Sequence, residues 1–565
     1  MKRSTLPSLP ALGKTAAGVA IALSALSNAA PVHAADNTAG TYDRQLAFDA
    51  SKFTTIHVTI DGQSVPVRWY KEVCYVAKPT PMKPDQRDLR GPITITNTGC
   101  GYQSMNIFVP ESAANNRQTA IYFAVNNGGW WASYIKASVT EGASYNSATS
   151  NVGAALKAGY VYIDVATRSR GIVAADDSYP GKAPAPVVDA KAAIRYLRLN
   201  DALMPGSAER IVVNGTSGGG ALSSIIGASA NSRDYLPYLD EAGAAGVAGN
   251  RGAVRSTLRD DVLAINAYCP ITDLANADLA YEWLFTVLNT RATVGRNPNP
   301  AGSAELAAKF PAYQKSLQLR TNDSSGKTAS LIARNMLETI KDEVAKAAVS
   351  YMQAGGTIPA LGESFTITSA QATRAYPNDW IQVDNAANKV VSIDMERYLA
   401  FVATQATLKT APAFDQTGLT LTGATGESNL FGTKYQAYSN FTTYAWDHND
   451  IKGDGIGYDD TGLSFANLLK RQDTVVDEQA ALINPMRYIG TNADTAPYWY
   501  VRHGTRDRDT SFIISINLSS ALQADRHVKE VNYALSWNQP HAGNYDVPEA
   551  MAWIAKVLKA ADRDR

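Results

Sequence analysis

Two hydrophobic rhythms divide the chain. Over residues 42–110 polar and apolar positions alternate, as in FTTIHVTIDGQSVPVRWY, the period-two pattern of antiparallel strands with one wet face. Beyond it the apolar positions run together. TAIYFAV (119–125) and YVYIDVA (160–166) show no alternation, as strands buried on both faces require. DAKAAIRYLRLND (189–201) switches to a helical period, with Ala192, Ile194, Leu197 and Leu199 near one face and basic residues opposite. ERIVVNG and VLAINAYC read as further strands, with ALSSIIGASA a helix between them. Strands alternating with helices predict a mostly parallel α/β sheet covered on both sides.

After Cys269 that rhythm stops. Residues 275–480 are first helical, as in SLIARNMLETIKDEVAKAAVSYM, then loop-like and rich in Tyr, Asn, Gly and Asp. The sheet pattern resumes at APYWYVRHG (496–504) and KEVNYALSW (529–537), and EAMAWIAKVLKAAD closes the chain as an amphipathic helix. The expected organisation is therefore a core of residues 35–274 and 481–565, with its N-terminal strands at 42–110, interrupted by an inserted domain at 275–480. An insertion between late strands sits above their carboxyl ends, where α/β sheets bind ligands, so it is a lid candidate.

Composition narrows the partners. The chain has 565 residues, and 52 Lys plus Arg balance 52 Asp plus Glu, so no net field draws nucleic acid or anionic lipid. A small molecule is the expected partner. Residues 1–34 read as a signal peptide: Lys2 and Arg3 precede the short apolar run AAGVAIALSAL, and Val32-His33-Ala34 supplies small residues for cleavage. Nothing later is long and apolar enough to span a bilayer. A secreted or periplasmic protein is expected. In such a compartment a Cys74–Cys100 pairing is open, with Cys269 a buried thiol in an apolar strand.

One short stretch carries chemistry. IVVNGTSGGGALSS (211–224) runs from an apolar strand through Gly-Thr-Ser-Gly-Gly into a helix. This is the context in which a Gly-x-Ser-x-Gly serine is held on a strained bend as a nucleophile. It predicts an α/β-hydrolase fold, whose triad runs in the order Ser, Asp/Glu, His. Of six histidines, His33 leaves with the signal peptide, His57 lies in a strand before the serine and His448 lies in the insertion. His527 lies at a polar helix end, and a structural hydrogen bond is the expected use of His503. His541, in SWNQPHAGNY past the last apolar strand, is the expected base. RHGTRDRDTSF places Asp507 and Asp509 after the preceding strand; Asp507 is the expected orienting acid and Asp509 its alternative. The oxyanion would take the amide of Gly218 and another from FAVNNGGWW, where Asn127, Gly128 and Gly129 expose backbone N–H groups. Trp130 and Trp131 follow as expected walls of an acyl pocket. No Cys/His spacing suits zinc, and the Asp/Asn/Gly run at 447–460 lacks the calcium-loop pattern, so neither metal nor cofactor is expected.

The elbow VNGTSGGGALSS, the phrase YCPITDLANADLAYEW (268–283) and RHGTRDRDTSF together resemble bacterial tannases and related aryl-ester hydrolases, including feruloyl esterases. The resemblance implies an α/β-hydrolase with a large lid that cleaves esters of phenolic acids, most readily galloyl esters. It also implies a triad of Ser217, Asp507 and His541, with Asp509 on galloyl hydroxyls. Fungal tannases and many feruloyl esterases carry cysteines beside the serine and histidine; Thr216 and Pro540 stand there, as fits the bacterial type. The lid lysine of the family has a possible counterpart in Lys434. Feruloyl, chlorogenate and general carboxylesterases share the mechanism, and a serine peptidase or a non-catalytic binding module on the same scaffold are the remoter alternatives.

Overall fold

In the computed structural model the described residues are 39–563, apart from 251–252, 296, 323–327, 369–371, 418–425, 450–451 and 453–454. The expected signal peptide therefore lies outside them, as does part of the 447–460 run. These described residues cluster as one compact unit. No described helix is long and apolar enough to cross a membrane.

Ten strands form the central sheet: β1 (Thr54–Ile60), β2 (Gln63–Cys74), β3 (Ser104–Pro110), β4 (Ile121–Val125), β5 (Ser144–Tyr145), β6 (Val161–Val165), β7 (Ile211–Thr216), β8 (Ala264–Tyr268), β9 (Tyr498–Gly504) and β10 (Glu530–Ser536). Their order is β10-β9-β8-β7-β4-β6-β3-β2-β1-β5. The six from β10 to β6 are mutually parallel, and β3, β2 and β1 join antiparallel. The two sequence rhythms map onto these halves: β4, β6 and β8 are buried at every position, whereas β1 alternates. Cys74 at the end of β2 is disulfide-bonded to Cys100, with Cα atoms 6.1 Å apart.

The flanking helices are α1 (Asn151–Lys157), α2 (Ala185–Leu199), α3 (Gly218–Ala228), α4 (Leu274–Thr286), α5 (Pro300–Ser316), α6 (Ala333–Gln353), α7 (Met395–Gln405), α8 (Phe512–Ala524) and α9 (Val547–Arg563). Helix α2 departs from the expected amphipathic pattern. Lys191 and Arg195 are buried on it, because both meet Asp260 at 2.8 and 3.0 Å. Two charges answered by one carboxylate, with backbone carbonyls on the remaining donors, can be buried where a lone cation cannot. The inserted segment contains α5–α7 and three antiparallel strand pairs, Arg320–Asn322 with Thr328–Ser330, Ser364–Thr368 with Thr373–Pro377 and Ile381–Asp384 with Lys389–Ile393, which the helical and loop reading of its sequence missed.

Candidate active site

Strand β7 ends at Thr216 and α3 begins at Gly218, leaving Ser217 between them at φ 62°, ψ −123°. A non-glycine residue there carries a backbone strain of about 1–3 kcal/mol. The surroundings fix it. Ser217 N–H donates to Tyr268 O at 2.9 Å, and Ser217 O accepts from Ala221 N at 2.9 Å. Small residues follow because neighbouring backbone leaves no room: a Cβ on Gly218 would collide with Trp130 N and Asn127 O, and one on Gly220 would lie 2.6 Å from Tyr268 O. The serine is thus lifted to the carboxyl end of the sheet with its hydroxyl facing outward.

Two further loops leave the same end. Asp507 follows β9, His541 follows β10, and the three side chains converge. Ser217 Oγ lies 2.8 Å from His541 Nε2, and His541 Nδ1 lies 2.7 Å from Asp507 Oδ2. Asp507 is fully buried, and its other oxygen accepts the amides of Asp509 at 2.7 Å and Thr510 at 3.2 Å. Burial alone would raise the Asp507 carboxyl, but the imidazoles of His541 and His503 outweigh it and hold it well below the usual range. Burial works against charge on His541 too; Asp507 outweighs it and raises that imidazole well above the ordinary value.

Two groups at this junction escaped the sequence reading. The buried His503 places Nε2 3.0 Å from Asp507 Oδ2, not merely in a structural hydrogen bond elsewhere. Cys269, at φ 43° just past β8, has its Sγ within 4.8 Å of the Asp507 and His541 atoms and donates to Ala542 O at 3.3 Å. The i, i+4 spacing of His503 and Asp507 was the available signal for the first. Cys269 had none, because its approach depends on how the His541 loop returns.

The turn at 127–131 packs against the start of α3. Trp130 N–H is occupied by Asn127 O at 2.9 Å and Trp131 N–H by Gly128 O at 3.1 Å. The Asn127 side chain is likewise used, donating to Trp131 O and Thr167 Oγ1 at 2.9 and 2.7 Å. Trp130 is a correction: it is fully buried, with its indole N–H on Ile271 O at 3.2 Å, so it is a core side chain and not a pocket wall. Trp131 instead borders a cavity of about 230 Å³ with Arg170, whose guanidinium lies 4.7 Å from its ring. Arg170 in turn meets Glu427 of the insertion at 3.7 Å.

A cavity of about 750 Å³ opens at His541 and is lined by Asp509, Arg506, Arg508, Gln405, Tyr376 and Arg374. Asp509 is paired there with Arg508 at 2.7 Å. Lys434 lies elsewhere. Its carbonyl accepts Tyr179 N at 2.7 Å, its side chain is exposed over Tyr435, and it lines a separate cavity with Lys182 and Arg168 that contains none of the three converging residues.

The BD-FAE family model matches residues 105–283, from β3 through the elbow to α4. The fold is similar to that of the Fusobacterium nucleatum tannase, with 30% identity over 91% of this chain and 99% of that one and a TM-score of 0.67. The chain belongs to the tannase family. Within it, the tannin acyl hydrolase of Lactobacillus plantarum is 28% identical over 91% of this chain and 99% of that one, with a TM-score of 0.68. A tannin acyl hydrolase in complex with ethyl gallate aligns over 92% of this chain and 100% of that one at 28% identity and a TM-score of 0.67. No curated protein sequence matches. Membership makes the fold an α/β-hydrolase and the protein a carboxylic ester hydrolase.

Proposed function

We propose that the protein is a tannase-type serine esterase that hydrolyses esters of phenolic acids, galloyl esters foremost, through Ser217, His541 and Asp507. The observation that carries the reading is the unbroken run of contacts at 2.8 and 2.7 Å from Ser217 Oγ through His541 to Asp507. Ser217 Oγ bonds to the ester carbonyl carbon while its proton passes to His541 Nε2, and Asp507 stabilises the imidazolium. The oxyanion is held by the amide of Gly218 and by the 127–129 turn, in which the amides of Gly128 and Gly129 point to no described partner. His541 returns the proton to the departing alcohol, then activates the water that releases the acid. The relatives bound to ethyl gallate and 3,4-dihydroxybenzoate support a phenolic acyl group. Asp509, in the cavity shared with His541, is suited to accept a hydrogen bond from a ring hydroxyl. The 275–480 segment acts as the lid: Tyr376 and Gln405 belong to it and line the same cavity. Export with removal of residues 1–34 fits the Cys74–Cys100 bond.

A second reading, a chlorogenate-type esterase acting on carboxylate-bearing substrates, is favoured by one feature. Arg374, Arg506 and Arg508 face the cavity against the single carboxylate of Asp509. Turnover of methyl gallate, methyl ferulate, chlorogenate and p-nitrophenyl butyrate separates the readings. The galloyl reading expects methyl gallate to have the highest kcat/KM, and it falls if chlorogenate exceeds it tenfold. Ser217→Ala should lower turnover by about 10⁴-fold or more with folding intact. Retention of a few per cent of activity would remove Ser217 as the nucleophile.

A further inference from the structure

We propose that His503 is a positioning residue of the ester hydrolysis: its Nε2–H faces the same Asp507 oxygen that receives His541 and moderates how strongly that carboxylate holds the His541 proton. The inference rests on the Ser217–His541–Asp507 reading above.

Asp507 is unusually surrounded. Oδ1 takes two backbone amides, and Oδ2 lies 2.7 Å from His541 Nδ1 and 3.0 Å from His503 Nε2. His503 is completely buried, at the penultimate position of β9 before the Asp507 loop. Its Nδ1 is 2.8 Å from Ser515 Oγ on α8, which also lies 3.0 Å from Phe512 O and 3.2 Å from the Tyr533 hydroxyl on β10. Nε2 lies against Asp507 Oδ2 without hydrogen-bond geometry, and among the described groups it has no hydrogen-bond partner. That decides the proton. A bare Nε2 lone pair held against an ionised, buried carboxylate would be repulsive, with no water to relieve it. An N–H there is attractive even off-line. His503 is therefore assigned the Nε2–H tautomer, in which Nδ1 accepts from Ser515 Oγ.

The consequence is a shared carboxylate. Each proton facing Oδ2 reduces the negative potential available to the other, so His503 makes His541 a weaker holder of its proton than Asp507 alone would. The remaining ionisable neighbours are Cys269 at the end of β8, Tyr533 on β10 and Tyr398 on α7, whose hydroxyl donates to Thr505 O at 2.7 Å. Burial pushes all three upward, so they stay neutral through the acid and neutral range.

The test is the acid limb of kcat/KM for methyl gallate. His503→Leu removes the N–H and should move the limb upward by roughly 1 pH unit, with a smaller change on the plateau. His503→Gln restores an N–H near the same place and should return the limb toward wild type. A uniform fall at every pH with an unmoved limb in both variants would reduce His503 to packing and overturn the proposal. Should either variant fail to fold, histidine ¹⁵N NMR of the intact protein reads the same point: a protonated Nε2 on His503 supports it and a bare Nε2 overturns it. Ser217→Ala, assayed in parallel, separates the outcomes. Activity surviving in that variant would overturn the triad, and with it this role for His503, whereas an unmoved limb with Ser217 essential overturns the role of His503 alone.

Discussion

In the proposed triad Ser217 is suited to act as nucleophile because its backbone is held where serine alone would not choose to be, and His541 to act as base because Asp507 is buried beside it. The second relation has a sign. Asp507 raises His541, and activity needs His541 neutral, so turnover should be lost as pH falls through a value above the ordinary histidine pKa of about 6.5. Asp507→Asn removes the stabilising charge and leaves burial to act alone. The acid limb should then move to lower pH, while the plateau kcat/KM falls by about 10⁴-fold because the tautomer is no longer fixed. A pH–rate profile of both proteins checks it; an unmoved limb would contradict the role of Asp507. The convergence of Ser217, Asp507 and His541 was legible in the sequence because each follows an apolar strand, and chain order then selects among few histidines. Trp130 was not, since an aromatic beside a glycine turn looks the same whether it walls a pocket or fills a core. Lys434 failed for a similar reason: a lysine in a loop gives no sign of which cavity it faces.

At the level of elements, the insertion is braced within itself by buried carboxylates, and held to the core by a buried lysine, that no periodicity announces. Asp278 on α4 accepts the amides of Ala413 and Phe414 on Oδ1 at 2.5 and 2.8 Å, and that of Asp415 on Oδ2 at 3.1 Å. Asp415 repeats the device, accepting from Asn440, Phe441 and Thr442. From the core, Lys182 Nζ donates to three carbonyls of the insertion, those of Asn429, Phe431 and Ala437. Burial pushes Asp278 up to about 7, against an ordinary value of 3.8. Its proton is therefore bound more tightly in the folded state, and its contribution to stability falls as pH rises from about 4 toward 7. Asp278→Asn should flatten that slope. It also turns an NH₂ toward one of the amides, which costs about 1–3 kcal/mol for the orphaned donor. Urea denaturation across this pH range, with hydrogen exchange of the 413–415 amides, measures both. Unchanged exchange would mean the anchor is not holding the segment. The core strands were readable because burial imposes a pattern on them; the hairpins of the insertion are short, and only their contacts, not their periodicity, distinguish them from loop.

The molecule as a whole divides its labour across one sheet. The proposed triad is gathered at the ends of β7, β9 and β10, while the antiparallel edge of β1–β3 carries the Cys74–Cys100 bond. In the sheet order β4, β6 and β3 intervene between β7 and β2, so the disulfide lies well away from the elbow in the fold. Its sequence separation of 26 closes a loop whose lost freedom in the unfolded chain is worth about 3 kcal/mol. The effect should therefore be on stability and not on turnover. Replacing both cysteines by serine should lower the denaturation midpoint by the equivalent of about 3 kcal/mol, with kcat and KM for methyl gallate within a factor of about two of wild type at 25 °C. Cys269 must be left in place in that variant, because its sulfur packs among the Asp507 and His541 atoms and would confound the reading. A protein equally stable without the bond would show that the β1–β3 edge holds itself. A loss of turnover with stability unchanged would show that the edge and the elbow communicate through β4 and β6, against the separation drawn here.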